Sequence, residues 1–127
     1  MNLKAFVVLP EITPLKEIEH LVHELYISKD NLDNEDFFGI LVQLGERFSK
    51  HYTTLDNSLK DEILELIKRH IDFGSIRIIE MTINIMFLFE LKNCFDYLTV
   101  EIKDRPIKVD IKAEIIEGLK EYKSSFL

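Results

Sequence analysis

The chain has 127 residues, 46% of them hydrophobic and 31% charged, and carries a formal net charge of −7. That length suits one domain, 1–127, able to bury roughly two-thirds of its unfolded surface, and that balance excludes disordered and membrane-embedded classes. With only 3 prolines and 4 glycines, the chain lacks the many tight turns of a sandwich or barrel, so long regular elements with short joints are expected.

At the start, "MNLKAFVVLP" offers an apolar run from Ala5 to Leu9 that Pro10 stops. It is too short for a secretory segment, and residues 3–9 are read as a candidate short strand. Thr13 before Pro14 resembles an N-cap with proline at the first helical position. Leu15, Ile18, Leu21, Val22, Leu25 and Tyr26 then follow at helical spacing, predicting a helix over roughly 14–27. The polar joint "SKDNLDNED" precedes a second helix, roughly 35–51, capped by Asp33 or Asn34 and lined by Phe37, Phe38, Leu41, Leu44 and Phe48. A third helix is expected to open at Ser58, to carry Leu59, Ile63, Leu66, Ile67 and His70 inward, and to close on Gly74 as its C-cap.

The most apolar stretch, "SIRIIEMTINIMFLFEL", follows at once. Its longest uncharged run, Met81 to Phe89, is far below the 18 or so residues of a spanning helix. A strand is also too short for it, so 76–90 is predicted to be a helix capped by Ser75, central to the fold and touched by its neighbours in sequence. "NCFDYLTVEI" reads as a short helix capped by Asn93. Beyond Pro106, "IKVDIKAEIIEGLKEY" reads as a terminal helix with Ile111, Ile115, Leu119 and Tyr122 on one face. The fold class is therefore all-α, with about six helices in an antiparallel bundle.

A weak repeat runs through these helices. "SIRIIEMTINIMFLFEL" and "VDIKAEIIEGLKEYK" start about 32 to 33 residues apart, and "DFFGILVQLGERF" lies about 38 to 40 residues before the first. Over roughly 35–123 the pattern resembles HEAT-type repeats, which implies stacked helix pairs that bind other proteins.

Few residues suggest chemistry. "HLVHE" places His20 and His23 at i and i+3 beside Glu24, but in neither the order nor the spacing of H-E-x-x-H; an enzyme would need a metal there. "DNLDNED" fails as a calcium loop, since Leu32, Glu35 and Leu41 occupy positions 3, 6 and 12 counted from Asp30. Cys94, the single cysteine, permits no internal disulfide and reads as core filling in a reducing, cytoplasmic compartment. His51 and His70 are placed at helix ends, where a cation suits the dipole. No phosphate-cradling loop and no basic cluster with interleaved aromatics is present. Hence no catalysis, cofactor, metal or nucleic acid is expected.

Charge is the more informative signal. Residues 1–72 hold 14 acidic and 8 basic side chains, against 9 and 8 in residues 73–127. The acidity gathers in Asp30, Asp33, Glu35 and Asp36 before helix two, and in Asp56, Asp61, Glu62 and Glu65 at helix three. These are the candidate partner-binding residues, because a negative field accelerates encounter with a basic protein. In size, acidity and repeat character the chain is similar to the small immunity proteins of bacterial toxin systems, including those of contact-dependent growth inhibition. That resemblance implies a stoichiometric inhibitor of a cognate toxin, such as a basic nuclease domain. The alternative is a HEAT-like adaptor or subunit of a larger assembly, with Phe95, Tyr97 and Phe126 marking its groove.

Overall fold

In the computed structural model, which describes residues 10–28 and 32–127, six helices follow one another. They are α1 Leu15–Ile27, α2 Asn34–Ser49, α3 Asn57–His70, α4 Ile76–Leu88, α5 Lys92–Asp104 and α6 Val109–Phe126. The all-α class and the helix number agree with the sequence pattern. No strand occurs among the described residues, and the candidate strand at 3–9 lies outside them.

Local chemistry sets the helix ends. Asp33 caps α2 by accepting from the Glu35 N–H at 2.8 Å, and Ser75 caps α4 by accepting from the Ile78 N–H at 3.3 Å. Asp56, not Ser58, caps α3: its carboxylate accepts both the N–H and the hydroxyl of Ser58, at 2.8 and 3.0 Å. An ionised oxygen at the positive end of the helix is the stronger acceptor. Pro14 holds the cap position of α1, one residue later than predicted, while the buried Thr13 hydroxyl donates to the Pro10 carbonyl at 2.7 Å. Asn93 does not cap α5, which begins at Lys92. Its amide reaches sideways to the Lys60 carbonyl of α3 at 3.1 Å and so ties two helices together. Helix α3 ends at His70, and Gly74 does not take left-handed backbone; its N–H donates to Asp72 Oδ1 at 2.8 Å in a turn that lengthens the joint to residues 71–75.

Apolar stripes then dictate packing. Ile18, Val22 and Leu25 of α1, Ile63, Leu66 and Ile67 of α3, and Cys94 and Leu98 of α5 face one way. They meet Phe37, Leu41 and Leu44 of α2, Ile79, Ile85 and Met86 of α4, and Ile115 and Tyr122 of α6 in one continuous core. Contacts between next-but-one helices build two layers, α1–α3–α5 and α2–α4–α6. Helix starts recur at 15, 57 and 92 in one layer and at 34, 76 and 109 in the other, so the chain is three successive helix pairs that include α1. Helix α4 is central, but it lies chiefly between α2 and α6, not between its chain neighbours. Two glycines let it close in. A Cβ on Gly45 would stand 2.8 Å from Leu88 Cβ, and one on Gly118 would stand 2.9 Å from the Ile83 side chain.

Candidate functional site

The structure divides the predicted carboxylates into two groups. Asp33, Glu35 and Asp36 open α2, and α3 runs antiparallel to it, so His70 at the far end of α3 meets Asn34, with Nδ1 facing Asn34 Oδ1 at 3.3 Å. Asp56, Asp61 and Glu62 lie toward the opposite end of α3, and Glu65 just past its middle. Nine residues separate Asp61 from His70, roughly 14 Å of helix axis at 1.5 Å per residue. Asp30 lies outside the described residues.

Most of these carboxylates already have work inside the fold. Asp33 and Asp56 are caps, and the bonds from Ser58 hold the Asp56 carboxyl below its ordinary value. Glu35 pairs with Arg77 of α4, and Glu65 lies 3.8 Å from Lys68. Glu62 is the deepest, its side chain 18% exposed, and it accepts from His23 of α1 at 2.7 Å. Asp36 and Asp61 are exposed and have no cationic partner among the described residues; Asp61 receives only the Asn93 amide, at 3.4 Å.

The histidines part company. His20 turns to Glu24 at 3.7 Å while His23 turns to Glu62, and no cluster of three metal-ligating side chains occurs among the described residues. His51 donates through Nε2 to the Thr13 carbonyl at 2.6 Å, pinning the end of α2 to the segment before α1. His70 stacks on Phe37 with ring centroids 3.9 Å apart. Burial there, with the Arg69 charge behind it, pushes its pKa down, so it serves as packing surface and not as a helix-end cation. Burial also pushes the Cys94 thiol up to about 12, which keeps it protonated and unreactive. Among the suggested groove aromatics, Phe95 stacks on Tyr122, Tyr97 lies under Lys68, and Phe126 is 39% exposed.

A feature the sequence reading missed lies where α2 and α4 end. A cleft of about 360 Å³ is lined by Tyr52, Thr53, Thr54, Phe87, Leu88 and Glu90, among others. Tyr52 is 95% exposed. Tyr52 and Glu90 are also the two non-glycine residues with left-handed backbone among those described, at φ 50° and 53°. Each such conformation costs about 1–2 kcal/mol for a residue with a Cβ. Glu90 closes a Schellman turn on α4: its N–H reaches the Phe87 carbonyl at 3.2 Å, and the Leu91 N–H reaches the Met86 carbonyl at 2.9 Å. Glycine is the usual occupant of that position, and a carboxylate at the negative end of a helix is unfavourable in addition. Glu90 carries the one charge among the described residues lining the cleft, and it has no ion-pair partner among them. Burial, and after it the Glu90 charge, pushes the Tyr122 phenol up to about 12. The sequence signal was a missing glycine after α4, where Glu90 stands at a position that Gly or Asn usually fills; Tyr52, three residues beyond Ser49 at the end of α2, left no such local sign.

No known protein family matches the chain, and no curated protein or solved structure is significantly similar to it.

Proposed function

We propose that this protein works by stoichiometric binding to a basic protein domain, occluding it in the manner of the immunity proteins that neutralise bacterial toxins. The observation that carries the reading is the placement of Asp36 and Asp61. Both are exposed carboxylates without cationic partners among the described residues, set toward opposite ends of α3 on a chain of net charge −7. Carboxylates held apart by a helix suit a broad basic surface better than a small ligand, since a standard interface covers about 800 Å² per partner. A nuclease domain has such a surface, because it must hold phosphates. The cytoplasm is the proposed site of action; no described helix is long and apolar enough to cross a membrane.

The test is neutralisation. The C-terminal domain of the protein encoded immediately upstream is expected to lose its activity at one equivalent of this protein. Paired reversals Asp36→Lys and Asp61→Lys are expected to weaken inhibition at least tenfold while leaving the helical fold intact. Undiminished activity of that domain at excess inhibitor would reject the cognate-neighbour reading and favour the HEAT-like adaptor.

A further inference from the structure

We propose that the cleft at the ends of α2 and α4 is a seat for one arginine side chain of a protein partner. Its lining supplies what a guanidinium needs: aromatic surface and a carboxylate. Tyr52 is almost fully exposed, Phe87 adds a half-buried ring that Tyr122 and Phe126 hold in place edge-on, and Glu90 is an exposed acidic residue with no ion-pair partner among the described residues. An arginine stacks on aromatic faces and forks onto a carboxylate at the same time, whereas a carboxylate or phosphate ligand would meet only repulsion from Glu90. Thr53 and Thr54 add hydroxyls at the rim. The volume, about 360 Å³, sits at the small end of ligand sites and suits one long side chain better than a folded segment.

A second observation is independent of the charge. Tyr52 and Glu90 both stand on left-handed backbone, at two positions 38 residues apart where glycine is locally preferred, and both line the same cleft. Local preference is broken twice in one place, which is the expected mark of a site kept for binding and not for folding. The source of the arginine as a residue of a basic toxin rests on the function proposed above; the chemistry of the seat does not.

Acetyl-arginine methylamide is therefore the probe, titrated into the full chain and followed through backbone amide resonances. Saturable shifts confined to Thr53, Thr54, Leu88 and Glu90 are expected. The neutral isostere acetyl-citrulline methylamide is expected to bind at least tenfold more weakly. Glu90→Gln and Tyr52→Gly are each expected to abolish the shifts, and Glu114→Gln, at an exposed carboxylate of α6 outside the cleft lining, to leave them unchanged. Glu90→Gly, which the left-handed backbone favours, removes the carboxylate without straining the turn and is likewise expected to abolish the shifts. Shifts spread over the surface carboxylates, equal response to citrulline, or full binding by Glu90→Gln would each overturn the assignment. Because no toxin is present in the experiment, its outcome is separate from that of the neutralisation test.

Discussion

Tyr52 and Glu90 show at single-residue scale how local cost and exposure combine. Tyr52 contributes little packing, so Tyr52→Gly exchanges about 1–2 kcal/mol of left-handed strain for about 0.5–1 kcal/mol of added chain entropy. The variant is expected to gain up to about 1 kcal/mol in urea unfolding, and Glu90→Gly to gain a similar amount; a lowered midpoint in both would contradict the strain assignment. His70 sets a pH dependence. Its folded pKa lies below the unfolded value near 6.5, so the fold favours the neutral ring. The stability this supplies is complete above about pH 6.5 and is lost as pH falls from there through the lower folded value. His70→Phe, which keeps the stack on Phe37, is expected to lose less stability than the parent between pH 7 and pH 5. An identical slope would remove His70 from the account.

Among the elements, α2 carries an internal control in its two glycines. Nothing lies within 4 Å of a Cβ built on Gly39, so Gly39→Ala is expected to stabilise the helix by about 0.5–1 kcal/mol. Gly45→Ala drives a methyl into Leu88 Cβ and is expected to cost about 1–3 kcal/mol. Equal effects at the two sites, read by thermal or urea unfolding, would show that α4 does not bear on Gly45. Much of this layer was legible in the sequence. The apolar stripes at helical spacing fix six helices, and Ser75 and Asp33 act within three residues of themselves, so the chain declares their caps. The rest depends on partners far along the chain. Gly45 meets Leu88, Asn93 leaves its cap for Lys60, and His23 meets Glu62, none of which a local pattern contains. The cleft joins residues 52 and 90 for the same reason, and the candidate carboxylates were legible as a charge excess but not as caps, buried partners or free groups.

Over the whole molecule, three helix pairs stack into two layers with carboxylates exposed toward both ends of α3. Surface charges of this kind raise association rates and respond to salt, whereas an apolar groove responds little. The most direct measurement is a calorimetric titration of this protein against the C-terminal domain encoded immediately upstream, at low and at high ionic strength. Binding at one-to-one stoichiometry, weakened at least tenfold by high salt, is the result predicted here. Absence of heat in both buffers, or an affinity indifferent to salt, would contradict it.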